Sequence, residues 1–243
     1  MSGHSKWATI KRAKGAADVK RGLAFTKISN AITIAVKAGG GIADPTQNFK
    51  LRLAVEAART ANMPKENIER AINRAAAKGE GVLEEVTYEG FAPFGVAIIV
   101  EAATDNVQRT SAEIKNVFNK SNASFGQPGS VSYLFKQVGK IIAIKEGKTF
   151  DDIFAIAVES GADDIEEGTG DRCIIYTDPS FLSKVKDALI ARGLKVESGE
   201  LVRKPMDTSP VSDALKKQQT LDFIGKLEEM DDVQKVYSNI SLN

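Results

Sequence analysis

The sequence predicts an α+β protein with an N-terminal three-helix module and two α/β domains, one of them ferredoxin-like and inserted in the other. Three observations predict this class. Apolar residues recur at helical spacing up to about residue 80, strand-like runs alternate with helical patterns after it, and charge divides between the same two regions. The 243 residues suffice for several small domains, and 42% apolar with 27% charged residues is typical of globular proteins.

The N-terminal region is predicted to hold a basic arm over residues 1–24, mobile or loosely helical, and a helical module over residues 25–80. The first firm helix covers about 25–38, where apolar residues follow the i, i+3, i+4 rule and Gly39 ends the pattern. Asp44, followed by Pro45, is predicted to cap a second helix that ends near residue 62. A third helix runs from about Pro64 to Gly79.

The middle α/β domain is assigned to residues 81–137 together with 205–243. Its predicted strands are about 82–88, 95–101, 131–135 and 233–238, and its predicted helices are about 108–119 and 211–230. The last helix and strand cannot bury their apolar faces alone. We therefore expect them to return to the sheet that the earlier strands begin.

Residues 138–204 are predicted to form the inserted domain. Strands at about 141–144, 163–167, 172–177 and 195–202 alternate with two helices in the order β-α-β-β-α-β. Thr149, three residues before Asp152, is predicted to cap the first of these helices, and Asp178-Pro179 to open the second.

The titratable residues argue against most enzyme classes. A single histidine, His4, and a single cysteine, Cys173, cannot supply a disulfide, a Cys/His zinc site or a histidine-based triad remote from the N-terminus. Cys173 is predicted to be a small buried residue of a strand. Phosphate-binding loops are missing, since Ile142 stands where the glycine of a P-loop ending in Gly147-Lys148-Thr149 would be required. We expect no enzyme activity, catalytic residue, cofactor, metal or small-molecule substrate, although adjacent acids leave a carboxylate–metal hydrolase as a rival interpretation.

The charge is distributed very unevenly. Residues 1–80 hold 15 basic and 6 acidic residues, a net +9, whereas residues 81–243 hold 18 and 26, a net −8. Such asymmetry favours a polyanionic partner at the basic end. No run approaches the length of a membrane span, and the single thiol fits a reducing compartment, so a cytoplasmic protein without a membrane partner is expected.

The candidate nucleic-acid-binding residues combine cations, one histidine and one indole. Arg70, Arg74 and Lys78 lie four residues apart on the third helix, opposite its apolar face. Trp7 either stacks on a base or anchors the arm, and the cations either contact phosphate or are only solvated. The complete set is His4, Lys6, Trp7, Lys11, Arg12, Lys14, Lys20, Arg21, Lys27, Arg70, Arg74 and Lys78.

These residues belong to a pattern that resembles the YebC/PmpR family over nearly the whole chain. The resemblance rests on motifs that occur in order: Gly3-His4-Ser5-Lys6-Trp7, Lys20-Arg21-Gly22, Phe25-Thr26-Lys27, Ala61-Asn62-Met63-Pro64-Lys65, Asn67-Ile68-Glu69-Arg70-Ala71-Ile72, Tyr88-Glu89-Gly90, Gly95-Val96-Ala97, Thr104-Asp105-Asn106, Gly129-Ser130-Val131 and Asp231-Asp232-Val233-Gln234. Leu23 departs from the lysine more usual after Lys-Arg-Gly, and Asn122-Ala123 from a usual Gly-Gly pair.

The resemblance implies a cytoplasmic, non-enzymatic protein of three domains that regulates gene expression. Bacterial members are labelled DNA-binding transcriptional regulators. Other members, including a mitochondrial translational activator, resemble ribosome-associated factors that bind ribosomal RNA and relieve stalling, for example at prolines. DNA, ribosomal RNA and the ribosome are therefore all candidate partners, and a protein–protein adaptor is a third interpretation.

Overall fold

The structure, a computed structural model, describes residues 6–77 and 83–241, with side chains from residue 20 onward. The helices are α1 (Lys6–Ala38), α2 (Phe49–Thr60), α3 (Lys65–Ala76), α4 (Val107–Lys120), α5 (Phe150–Glu159), α6 (Leu182–Ala191) and α7 (Ala214–Glu228). The strands are β1 (Glu84–Phe91), β2 (Ala97–Thr104), β3 (Ser124–Phe125), β4 (Phe135–Ile144), β5 (Asp164–Glu167), β6 (Arg172–Thr177), β7 (Lys195–Pro205) and β8 (Val233–Ser238). An N-terminal helical region followed by two sheets with flanking helices confirms the predicted α+β class.

The first three helices pack around one apolar cluster. Ile32 and Val36 of α1 are fully buried against Leu51 of α2, and Ile68 of α3 joins the same cluster. The predicted start of the first helix, at about Phe25, was wrong, because α1 begins at Lys6. The added segment has no periodic apolar face, but it is rich in Ala, Lys and Arg, which favour helix, and it contains no proline.

The cap of α2 also differs from the prediction. Asn48, not Asp44, is the N-cap, and its Oδ1 accepts a hydrogen bond from the Leu51 N–H at 3.1 Å. The Asn48 Nδ2 donates to the carbonyl oxygens of Ala35 at 2.8 Å and Ile42 at 3.0 Å, and so ties the start of α2 to the end of α1. Asp44 instead accepts hydrogen bonds within its own turn.

One sheet has the strand order β3-β1-β2-β8, so the last strand joins the sheet that β1 and β2 begin. The predicted strand at Val131–Phe135 was wrong. Ser132–Leu134 form a 3₁₀ turn, and β4 begins at Phe135. The reason is the buried carboxylate of Glu89, which accepts the backbone N–H groups of Val131 and Ser132, each at 2.8 Å. Those groups are therefore not available to pair with a strand.

The other sheet has the order β5-β6-β4-β7, and its strands pair antiparallel, with Ile141 opposite Ile175. Helices α5 and α6 connect β4 to β5 and β6 to β7, which is the ferredoxin-like arrangement predicted from the element order. The predicted cap of α5 is confirmed, because Thr149 and Asp152 form a reciprocal capping box.

Contacts between Cα atoms divide the chain into two compact units. The first unit comprises Met1–Val86, Glu101–Ser111 and Gly225–Gln234, and the second comprises Thr87–Val100, Ala112–Ile224 and Lys235–Asn243. The predicted domain boundaries at residues 24, 80, 137 and 204 remain a prediction. In the described part of the chain, no helix has both the length and the hydropathy needed to cross a bilayer.

Candidate nucleic-acid interface

Helix α3 presents two arginines to solvent on the side opposite its buried face. Ile68 and Ala71 are buried in the helical cluster, while Arg70 and Arg74 are exposed. This arrangement follows from the four-residue spacing of the arginines, which places them one above the other on one helix face. Neither guanidinium has an ion-pair or hydrogen-bond partner among the described residues, so both are available to an external anion.

Helix α1 carries most of the other predicted residues. Lys20 and Arg21 are exposed and, within the part of the chain that the structure describes, neither side chain is paired. Five predicted positions lie on the helical backbone at Lys6, Trp7, Lys11, Arg12 and Lys14, where side chains are outside the described set. His4 and Lys78 lie outside the described residues altogether.

Lys27 is placed differently from the other predicted cations. Its Nζ donates to the backbone carbonyl of Glu228, at the end of α7. Burial lowers the pKa of Lys27 below its ordinary value, against the attraction of Glu228 and Asp231. This ammonium group therefore satisfies a helix C-terminus, whose carbonyls and dipole favour a cation.

A cleft of about 540 Å³ opens in the first unit beside Arg74. Polar and charged side chains supply most of its wall. The lining residues are Asn30, Thr33, Lys37, Arg74, Ala75, Leu83, Asp105, Arg109 and Asp232. Lys37 and Arg74, like the exposed arginine at position 70, have no ion-pair partner in the described ranges. The cleft therefore offers two free cations within one concave surface.

One wall of the cleft is a hydrogen-bonded network centred on Asp232. Its Oδ2 accepts hydrogen bonds from Thr110 Oγ1 at 2.5 Å, Arg109 Nη2 at 3.0 Å and Thr104 Oγ1 at 3.1 Å. The Asp105 carboxylate accepts a further bond from the same Arg109 Nη2 at 2.9 Å. The network fixes the Arg109 guanidinium at the cleft, with its other N–H groups unpaired among the described residues.

The electrostatics of this network favour the ionised carboxylate. Burial by itself would raise the pKa of Asp232, but the hydrogen bonds from Thr110, Arg109 and Thr104 outweigh it, and the pKa lies below its ordinary value. Hydrogen bonding to Asp232 and then to Asp105 raises the pKa of Arg109 above its ordinary value. Both groups therefore stay charged at neutral pH, and the acid holds the base in place.

The arrangement is suited to binding anions. Three cationic groups, Lys37, Arg74 and Arg109, line the cleft with two carboxylates, and exposed Arg70 lies one helical turn from Arg74 on α3. Across the described residues, no three His, Cys, Asp or Glu side chains come together as a metal site. Cys173 is fully buried, as predicted, and burial raises the pKa of its thiol.

Of the residues that line the cleft, only Arg74 was among the predicted site residues, so the three charged members of the network, Asp105, Arg109 and Asp232, were missed. The signal for two of them was present in the sequence, because Thr104-Asp105-Asn106 and Asp231-Asp232-Val233-Gln234 are both motifs of the resemblance described above. Nothing in either motif indicates that the two meet. Their contact joins positions that are 128 residues apart in the chain.

Comparison with known proteins gives consistent matches over the whole chain. A model described as the TACO1/YebC protein N-terminal domain matches residues 5–78, and one described as the TACO1/YebC second and third domain matches residues 83–240. Proteins named probable transcriptional regulatory protein are 45% identical in Rubrobacter xylanophilus, 44% in Trichlorobacter lovleyi and 46% in Dictyoglomus thermophilum. Each alignment covers 100% of this chain and 96%, 97% and 96% of the relative.

A solved structure is similar to this chain in both fold and sequence. The crystal structure of a conserved hypothetical protein from Aquifex aeolicus has a TM-score of 0.83 and 41% sequence identity, and the match covers 91% of this chain and 90% of that one. Because both family models match in order and the relatives align from end to end, this chain belongs to the TACO1/YebC family.

Proposed function

We propose that this protein is a non-enzymatic regulator of gene expression that binds the phosphate backbone of a nucleic acid through its first unit. The observation that carries the proposal is a group of accessible cations of the first unit that have no partner in the described part of the chain, among them Lys20, Arg21, Lys37, Arg70 and Arg74. The relatives' name, probable transcriptional regulatory protein, supports a regulatory role.

The physical basis is counterion release. Each cation that neutralises a phosphate frees a condensed counterion, so affinity follows the number of contacts and falls steeply with salt. Unpaired surface cations are better placed for this than Lys27, which is already hydrogen-bonded, or Lys65, which pairs with Glu69 at 3.4 Å. We therefore leave Lys27 out of the proposed contact surface, although it was among the predicted residues.

Two targets are compatible with such a surface. The relatives' name favours duplex DNA. The alternative is a translation factor that binds ribosomal RNA and relieves stalling, for example at prolines. One observation favours the alternative: exposed Glu66 and Glu69 lie beside Arg70 on α3, and Asn73 is the one uncharged polar side chain among the exposed residues of that described helix. In a major groove those carboxylates would face phosphates, whereas an irregular RNA surface leaves room to avoid them.

A charge-reversal experiment tests phosphate binding. Arg70→Glu with Arg74→Glu is compared with Lys120→Glu and Lys184→Glu, which place the same charge change on exposed sites of the second unit. Affinity for a duplex and for a ribosomal RNA fragment is measured across a salt series. For about five contacts, log K against log salt should slope near −3.5 to −4.5 for the unmodified protein.

The α3 double variant should bind at least about tenfold more weakly and show a slope shallower by roughly 1.5, because phosphate contacts add approximately independently. The control should bind like the unmodified protein. A salt-independent affinity, or equal losses in both double variants, would show that the cations of α3 are only solvated.

The two targets are separated by specificity. If the translation role is correct, a promoter fragment and scrambled duplex should differ by no more than about tenfold in affinity. The protein should then co-sediment with ribosomes, and this association should be lost when residues 1–21 are deleted. Preference of about a thousandfold for one promoter, without ribosome association, would support the transcriptional role instead.

A further inference from the structure

Helix α5, which flanks the β5-β6-β4-β7 sheet of the second unit, carries an apolar stripe on its outer face. Phe154 is 49% exposed and Val158 is 54% exposed, and the two lie four residues apart. Phe150, one turn earlier, is partly exposed, and its ring centroid lies 6.5 Å from that of Phe154. These three residues, which we name the α5 stripe, therefore form one continuous strip along the helix.

The core of the unit does not require this stripe. Ile153 and Ala157, on the neighbouring face of α5, are fully buried, so the helix already has its packing surface. A single exposed apolar residue is common, but three in register along a helix are typical of a surface that another molecule covers. The helix is short, with 10 residues, so the covered segment is about three turns long.

The chain segment that contains the stripe is strongly acidic. Residues 149–171 contain eight aspartates and glutamates and no lysine or arginine. Asp151 follows Phe150 and Glu159 follows Val158, so one carboxylate lies near each end of the stripe. Basic residues from other elements pair with part of the cluster, since Lys204 contacts Asp164 at 2.8 Å, Lys145 contacts Glu167 at 2.9 Å and Arg192 contacts Glu159 at 3.6 Å. Asp151 has no ion-pair partner among the described residues.

We propose that the α5 stripe is a docking site for a basic amphipathic helix of a partner protein, whose apolar residues cover Phe150, Phe154 and Val158. Its lysines or arginines would then lie near Asp151 and Glu159. Nucleic acids and anionic bilayers carry the wrong charge for this surface, whereas a positively charged apolar helix complements both of its properties. The proposal concerns the second unit and does not depend on the function proposed for the first.

The test uses the full chain and a designed peptide of about 18 residues, with leucines at helical spacing and lysines elsewhere. Binding is measured by fluorescence anisotropy. Phe154→Ser with Val158→Ser should weaken binding about tenfold or more, since each substitution removes apolar area from the contact. Leu215→Ser is the matched control, because Leu215 lies on α7 and is 76% exposed, and it should bind the peptide as the unmodified protein does.

The charge contribution is tested separately. Asp151→Asn with Glu159→Gln should weaken binding several-fold at low salt, and the difference should vanish at about 0.5 M salt. A peptide with glutamate in place of lysine should not bind. Thermal unfolding checks that each variant is folded. If the variant with both Phe154→Ser and Val158→Ser does not fold, Val158→Ser alone is compared with the unmodified protein.

Three results would overturn the proposal. One is equal peptide affinity for the stripe variants and the Leu215→Ser control. Another is equal affinity of the lysine and glutamate peptides. The third is a combination of two observations: a peptide of residues 1–24 of this chain binds more tightly than the designed lysine peptide, and the full chain forms a dimer that Phe154→Ser abolishes. The occupant of the α5 stripe would then be a second copy of this chain.

Discussion

Replacing Asp232 with alanine should destabilise the first unit strongly, because three donors converge on one oxygen of this carboxylate. The Asp232 side chain is 19% exposed, and both threonines that donate to it, Thr104 and Thr110, are fully buried. After the substitution the hydroxyl groups of Thr104 and Thr110 keep only the hydrogen bond between them, at 2.8 Å, and their hydrogen bonds to the adjacent backbone. Arg109 keeps its ion pair with Asp105.

The magnitude follows from the lost hydrogen bonds to a charged group. Hydrogen bonds of this kind contribute about 1.5–3 kcal/mol each in partly buried settings, and they are not additive when they share one acceptor. A loss of about 3 kcal/mol is therefore expected for Asp232→Ala. For a chain of this size, that corresponds to a fall in Tm of roughly 6–12 °C.

The effect should depend on pH in a defined direction. The pKa of Asp232 in the folded protein is lower than its ordinary value of 3.8, so the ionised carboxylate stabilises the fold. That stabilisation is fully present above the pKa of the unfolded chain and is lost as the pH falls through the folded value. The difference in Tm between the unmodified protein and Asp232→Ala should be constant from pH 6 to 8 and shrink below about pH 4.

Differential scanning calorimetry measures the effect, with Asp105→Ala as control. Asp105 binds the same Arg109 nitrogen but is 62% exposed, so its removal should change Tm by no more than about 2 °C. Equal changes in Tm for the two aspartates would contradict this prediction, because the burial of Asp232 and its two threonine donors would then contribute nothing to stability. A difference for Asp232→Ala that does not shrink in acid would show that the charge is not responsible.

Two further outcomes are expected. Glu89→Gln should lower the free energy of unfolding of the second unit by about 2 kcal/mol, because the Glu89 carboxylate accepts three backbone N–H groups of residues 129–132 and the NH₂ group of glutamine cannot accept in place of an oxygen. Urea unfolding measures this effect, and an unchanged midpoint would contradict it. Deleting residues 1–21 should leave Tm within about 2 °C, because the helical cluster begins at Phe25, and should weaken nucleic-acid binding at least about tenfold. Loss of cooperative unfolding with binding retained would contradict this second expectation.

Much of the fold was predictable because its determinants are local. The order of helices and strands from β4 to β7 follows from patterns that repeat every few residues. The Thr149–Asp152 capping box likewise involves residues only three positions apart. The same is true of the exposed Arg70 and Arg74 opposite a buried face, which a four-residue spacing implies. Net charge can be counted directly, so the basic N-terminal region was also evident from the sequence alone.

The failures share a different cause. Val131–Phe135 has the composition of a strand, but the carboxylate of Glu89, more than forty residues earlier, takes the N–H groups that a strand would pair. Asp44 is a good local cap, but Asn48 replaces it because the Asn48 amide also donates to the carbonyl oxygens of Ala35, in the last turn of α1, and Ile42, in the loop that follows. In each case a partner outside the local pattern decides the structure. For the helix cap, the local preference is about 1 kcal/mol.

The sequence is sufficient to assign the class of the protein, the order of its elements, its charge asymmetry and its family motifs. Which of those motifs form a site depends on the tertiary structure. Thr104 and Asp232 meet across 128 residues and position Arg109 at a cleft, while Lys27, equally basic in the sequence, is held by a helix end. The reason is physical: periodicity and capping act over a few residues, whereas burial and hydrogen-bond satisfaction depend on what the folded chain brings together.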